Sequence, residues 1–273
     1  MSENTSSENQ QIASVENPHP GRRLRMTVSY DGTDFAGWQL QPEAPTVQGE
    51  LEKALHRVTR QQIRVTGAGR TDAGVHAIGQ VAHFDTMGKL APGEFERALN
   101  ALLPRTIRVR DVVNAQAGFH ARFGAAWKIY RYSLAGPHFP EAPLLMRTHW
   151  LRNTELDLDL LKSCCQLTLG SHDFFTFSKQ EGHRENHVCT IFDAHWTAGD
   201  GSLYFEVRGD RFLRSMVRML CGAMLAVADG KTDIGEFRRA LEIPGRWKYA
   251  VPAPAAGLTM VKVHYDNNPK QKQ

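Results

Sequence analysis

The spacing of apolar residues switches between a period of two and a period near 3.6 in one order, and that order then recurs. No other feature restricts the fold as strongly, because each period admits one kind of element. Residues 23–30 alternate, with Leu24, Met26, Val28 and Tyr30 on one face and Arg23, Arg25, Thr27 and Ser29 on the other, which predicts a half-buried strand. After a Gly-containing loop over 31–45, Thr46 holds a capping position ahead of Val47, Leu51, Ala54, Leu55 and Val58, a helical stripe. Residues 62–66 read as a short strand and 78–84 as another. Pro92 opens a second helix, with Phe95, Ala98, Leu99 and Leu102 on one side; Pro104 ends it, and 107–113 is strand-like again. Strand, helix, strand, strand, helix, strand is the split βαβ, ferredoxin-like order.

The order recurs over 125–265 without obvious internal identity. Residues 125–134 predict a strand. Asp157 caps a helix carrying Leu160, Leu161, Cys164 and Leu167, closed by Gly170. Residues 188–197 and 202–208 form a hairpin around Gly199-Asp200-Gly201. A long helix is expected over 211–228, with Phe212, Met216, Val217, Leu220, Ala223, Met224 and Val227 toward the core. A short helix near 233–243 is an addition, and 258–265 is the last strand. The expected fold class is α+β: two ferredoxin-like (split βαβ) domains whose antiparallel sheets join into one extended sheet with helices on one face. The uncovered face is the expected working face. The expected organisation is a disordered polar tail over 1–21, an N-terminal α/β domain over 22–117, a C-terminal α/β domain over 118–266 and a polar tail over 267–273.

A chain of 273 residues buries enough surface for two such cores without metal or disulfide staples. No run approaches the ~18 apolar residues of a bilayer span. The first 21 residues hold three Glu and no Lys or Arg, and lack the basic start and apolar middle of an export signal. Cys164, Cys165, Cys189 and Cys221 form no C-x-x-C pair and read as reduced core thiols, which fits the cytoplasm. His183 and His187 stand four apart, but Arg184 occupies the place that H-E-x-x-H gives to Glu, so no metal site is expected. The net charge of +4 is unevenly spread: residues 105–131 hold six basic residues against Asp111, and 208–218 hold four against Asp210. Such clusters suit a polyanion. On charge alone, a solvated basic face is the simpler reading.

The densest local signal is Gly67-Ala-Gly-Arg-Thr-Asp-Ala-Gly-Val-His-Ala77. Its glycines force a tight, exposed backbone between two strands. A dinucleotide fingerprint fails there, because Asp72 takes the place of the third glycine and would repel a phosphate; the P-loop Lys and Ser/Thr are missing too. What remains is a carboxylate at a loop tip with Arg70 two residues away. An Arg70 within ~4 Å would attract it by about 4 kcal/mol at an effective dielectric near 20, before desolvation. That would keep Asp72 deprotonated near neutrality. On loop chemistry alone, a plain hairpin with a turn-forming Asp is the simpler reading.

A second constellation is Lys128-Ile-Tyr-Arg-Tyr132, which sets Lys128, Tyr130 and Tyr132 on one strand face. Basic and aromatic groups together grip phosphate and stack bases, although Tyr132 reads better as core. Arg211, Arg214 and Arg218 fall at i, i+3 and i+7 of the expected long helix, one basic edge beside an apolar face. An Arg218 partly buried there needs a carboxylate partner.

The run 67–77 closely resembles the signature of the bacterial tRNA pseudouridine synthase A family. So do Asp31-Gly-Thr-Asp-Phe-Ala-Gly-Trp38, Phe119-His-Ala-Arg-Phe123, Lys128–Tyr132, Met216-Val-Arg218 and Gly257-Leu258, in family order over nearly the whole chain outside the tails. The resemblance implies the pseudouridine synthase fold and a cofactor-free isomerase that converts uridines 38, 39 and 40 of the tRNA anticodon arm to pseudouridine. Asp72 matches the essential aspartate, Arg70 the arginine that helps extrude the base, and Tyr130 the tyrosine that packs on it. Arg218 matches the arginine paired with the aspartate, and Leu258 an apolar pocket contact. It further implies a cytoplasmic homodimer, with one tRNA spanning both subunits. Attack by Asp72 on C1′, attack on C6 and removal of a ribose proton are three routes that the residues leave open. The alternatives are a synthase acting on other RNA uridines and a non-catalytic tandem RNA-binding protein, whose RNP1 pattern is not found here.

Overall fold

The computed structural model describes residues 21–136, 138–152, 155–180, 186–199 and 201–266. The expected tails lie outside the described residues except for Gly21, as do His183, Arg184 and Asp200.

The first half runs β1 (Arg22–Tyr30), α1 (Val47–Thr59), β2 (Thr66–Gly67), β3 (His76–Thr86), α2 (Pro92–Leu102) and β4 (Ile107–Asn114). Thr46 caps α1 as expected, its side chain accepting the Gly49 N–H at 3.2 Å. The short strand expected over 62–66 shrinks to two residues. Ahead of it, the Val65 N–H goes to Glu52 Oε1 (2.9 Å) rather than to a neighbouring strand. The second half runs β5 (Trp127–Ala135), α3 (Ala142–Leu145), β6 (Trp150–Leu151), α4 (Leu158–Thr168), β7 (Gly170–Asp173), β8 (Val188–Gly199), β9 (Ser202–Gly209), α5 (Met216–Ala228), α6 (Ile234–Glu242) and β10 (Leu258–His264). The expected helix over 211–228 therefore starts five residues late. Ser215, with φ 57° and ψ 7°, is left-handed and blocks its extension. Arg211 and Arg214 lie ahead of α5, not on its edge. α3, β6 and β7 have too few residues to show a period.

All strands form one sheet in the order β4-β1-β3-β10-β5-β9-β8-β7, with β2 paired to β3 and β6 to β5. The order β4-β1-β3-β2 and the order β10-β5-β9-β8 are each ferredoxin-like. The seam between them is the parallel pair β3–β10, where Thr259 faces His76 and Met260 faces Ala77. Helices cover one face. Leu24 pairs with Phe84, and Phe84 meets Phe95 of α2 edge-on at 5.7 Å, so α2 lies over the Leu24, Met26 and Val28 side. α5 contacts β5 on its Tyr132 side. The opposite face carries Arg131 paired with Glu206 (2.9 Å) and Trp127 stacked on His264 (4.4 Å). The four cysteines are free and buried. Among the described residues, no helix is long and apolar enough to cross a membrane.

Candidate active site

Asp72 lies in the turn between β2 and β3, and neighbouring segments hold that turn from several sides. Thr71 O accepts the Trp38 N–H (3.1 Å), and the Gly74 N–H reaches Phe35 O (3.3 Å). Thr71 Oγ1 is 2.8 Å from the buried Tyr30 hydroxyl. Gln80 clasps Gly69, donating from Nε2 to its carbonyl (2.6 Å) and accepting its N–H at Oε1 (3.3 Å). The 31–38 loop comes so close that a Cβ at Gly37, whose φ is +102°, would sit 2.5 Å from Thr71 O. Two of the motifs quoted above are thus one structural unit.

The carboxylate points at the start of α5. Its Oδ2 accepts from Ser215 Oγ (2.8 Å) and from Arg218 Nη1 (2.9 Å), while Arg214 Nε stands 3.8 Å from Oδ1, beyond hydrogen-bond reach. Arg218 is itself fixed, donating from Nε to Ala253 O (2.7 Å). Its side chain is 16% exposed and that of Asp72 is 23% exposed, so the pair is largely withdrawn from water. Truncating one partner of such a pair costs roughly 3–5 kcal/mol.

Around this pair the sheet and loops enclose a cleft of about 1660 Å³. That exceeds the ~300–1,000 Å³ of small-molecule pockets and suits a segment of polymer. Tyr130 and Leu258 both line it and are 7% and 6% exposed. The Tyr130 ring meets Phe212 edge-on at 5.1 Å. Burial above all, with the nearby Asp72 carboxylate adding to it, pushes the Tyr130 phenol far above its ordinary range, so it stays neutral. Lys128 Nζ and Tyr130 Oη would stand 3.8 and 3.5 Å from a Cβ at Gly69. Burial, assisted by Arg122 and opposed by Asp210, pulls the Lys128 ammonium down to about 8. Eight Lys or Arg residues line the cleft against two carboxylates, Asp72 and Asp210. Asp210 Oδ1 is taken by the N–H groups of Thr190 (2.9 Å) and Arg211 (2.6 Å), whereas the Asp72 carboxylate is held by side chains alone.

The structure thus brings Asp72, Arg218, Tyr130, Leu258 and Arg70 around one cleft. Three expectations need correction. Arg70 is exposed on the cleft edge and makes no ion pair with Asp72 among the described residues; the chain turns at Asp72, the Val75 N–H reaching Asp72 O (3.2 Å), and Arg218 takes the paired position. The candidate site does not lie on the uncovered face. Tyr130 and Gln80 point to the helix-bearing side, and from that side Gln48 of α1 and Met216, Val217 and Arg218 of α5 line the cleft. Of the basic cluster over 105–131, only Arg122 and Lys128 reach the cleft. Tyr132 is core, as its position suggested, with its hydroxyl donating to Pro254 O at 2.7 Å. Sequence reasoning missed Ser215 and Gln80. Ser215 lies inside an apparently unbroken helical pattern, and Gln80 looks like one more strand residue.

A protein-family model described as tRNA pseudouridine synthase matches residues 26–124 and 164–266. The tRNA pseudouridine synthase A of Latilactobacillus sakei is 40% identical over 247 residues, 89% of this chain and 99% of the relative. That of a Geobacillus strain is 42% identical over 248 residues, 90% and 99% of the two chains. That of Chlorobium luteolum is 40% identical over 248 residues, 90% and 97%. With the fold, the loop-borne aspartate and the basic cleft in place, these matches along nearly the full described length mean that the chain belongs to the tRNA pseudouridine synthase family.

Proposed function

We propose that this chain isomerises uridine to pseudouridine at positions 38, 39 and 40 of the tRNA anticodon arm, with Asp72 as its catalytic group. The observation that carries the reading is the Asp72 carboxylate, held by Arg218 and Ser215 in a cationic cleft beside Tyr130. The reaction breaks N1–C1′ and makes C5–C1′; C5 loses its proton to water and N1 gains one. It needs no redox partner and no external group. The target base must first leave its stack, at a cost of a few kcal/mol. In this reading Arg70, at the cleft edge, fills the vacated place in the RNA, while Tyr130 packs on the extruded ring and Leu258 closes the apolar side. A neutral Tyr130 serves for this, since a phenolate there would repel both Asp72 and the RNA. A glycoside hydrolase would set a second free carboxylate opposite the first and admit water. Asp210 does not fill that role, because its Oδ1 is already committed to backbone N–H groups.

The division into units over 22–117 and 118–266 belongs to the same proposal, as do a cytoplasmic location and a homodimer shared by one tRNA. Sedimentation should then give twice 30.6 kDa. To test the assignment, tRNA transcripts are incubated with the protein and pseudouridine is mapped. Product confined to 38–40, and lost when those uridines are changed to cytidine, is the expected result. Product at other uridines would transfer the chain to a different target, and RNA binding without product would make it a binding protein.

A further inference from the structure

Ser215 opens α5, yet its side chain makes no cap bond to the helix. At this position a serine ordinarily turns its oxygen onto the free N–H groups of the first turn. Here the hydroxyl faces the other way and donates to Asp72 Oδ2 at 2.8 Å. Its backbone is also left-handed, at φ 57° and ψ 7°, a region that side chains other than Gly, Asn and Asp avoid. Two local preferences are therefore overridden at one residue, and among the described residues the Ser215 side chain hydrogen-bonds only the cleft carboxylate. Backbone strain of this kind persists where surrounding structure imposes it and concentrates at functional sites.

We propose that Ser215 is a positioning residue that orients the Asp72 carboxylate. With the reading of Asp72 as the catalytic group, on which this rests, it sets which oxygen meets the substrate. Ser215 and Arg218 approach the same oxygen, Oδ2, from neighbouring points at the start of α5. One donor leaves a carboxylate free to swing about it; two donors with separate anchors do not. Arg218 is anchored on Ala253 O and Ser215 on its own left-handed backbone. Oδ1, which Arg214 Nε approaches to 3.8 Å and which has no donor within hydrogen-bond reach among the described residues, is then the oxygen presented to the reacting ribose or ring. The left-handed backbone has a specific use here, because a serine continuing α5 in right-handed geometry would be carried away from the carboxylate.

The test separates the hydroxyl from the backbone. Ser215→Gly suits a left-handed backbone but removes the donor. Ser215→Asn also suits that backbone and restores a donor through its amide. Single-turnover release of tritium from C5-labelled tRNA is measured for wild type, both variants and Asp72→Asn, together with tRNA affinity. The expected result is a rate at least about tenfold lower for Ser215→Gly with affinity within about twofold, most of the rate restored in Ser215→Asn, and no release by Asp72→Asn. A wild-type rate in Ser215→Gly, a Ser215→Asn as slow as Ser215→Gly, or parallel loss of rate and affinity would overturn the proposal. Release by Asp72→Asn would instead overturn the reading beneath it, and the proposal with it.

Discussion

Lys128 carries a charge that its surroundings resist. It sits on β5 beneath Gly69, with Arg122 adding repulsion and Asp210 a weaker attraction, and its ammonium titrates at about 8 rather than near 10.5. Between those two values the unfolded chain holds more protons than the folded one, so this group's contribution to stability rises with pH across that window. An RNA phosphate in the cleft works in the opposite direction, because it favours the charged form. Wild-type tRNA affinity should fall as pH rises through about 8. Lys128→Met should bind about tenfold more weakly at neutral pH and show no such step. A titration of binding against pH checks both; an unchanged step in the variant would assign it to another group. At this scale the site was legible where a residue stood inside a dense motif, as Asp72, Tyr130 and Arg218 did. It was not legible where a contact depends on a backbone angle, as at Ser215, or on which way a turn throws its side chains, as at Arg70.

At the scale of elements, the turn that carries Asp72 is held in place by the 31–38 loop packed behind it. Gly37→Ala must place a Cβ at φ +102° against Thr71 O, 2.5 Å away, so loop and turn have to separate. A stability loss of roughly 1–3 kcal/mol is expected, with turnover falling more than tRNA affinity. Thermal unfolding beside single-turnover kinetics measures the two. Normal stability and rate would show that the loop has slack which the distances do not suggest. The order of the longer elements was readable, because strands and helices of eight or more residues reveal their period. α3, β6 and β7 reveal none. The start of α5 was misplaced because Phe212, Met216 and Val217 continue a helical stripe through a residue whose backbone does not follow it.

The two halves of the sheet meet at β3–β10, and the cleft lies over that seam. The recurring period order implied the join but not the working face. Which face carries the cleft depends on how loops and helices pack over the seam, a property that no single segment records. Charge behaves the same way. The clusters read along the chain look like solvated faces, and only folding gathers eight Lys or Arg residues against two carboxylates. If the RNA backbone neutralises most of them, tRNA affinity should fall by at least about a hundredfold between ~50 and ~200 mM salt; a flat response would mean that the cleft does not carry the RNA.

At the centre of the proposed reaction is one side chain in a cationic cleft, its carboxylate held by two donors. Its most direct measurement is tritium release from C5-labelled tRNA by wild type and by Asp72→Asn, at protein concentrations where both are saturated with RNA. We expect release by wild type, none above background by the variant, and equal tRNA affinity for the two. Release by the variant at the wild-type rate would contradict the account.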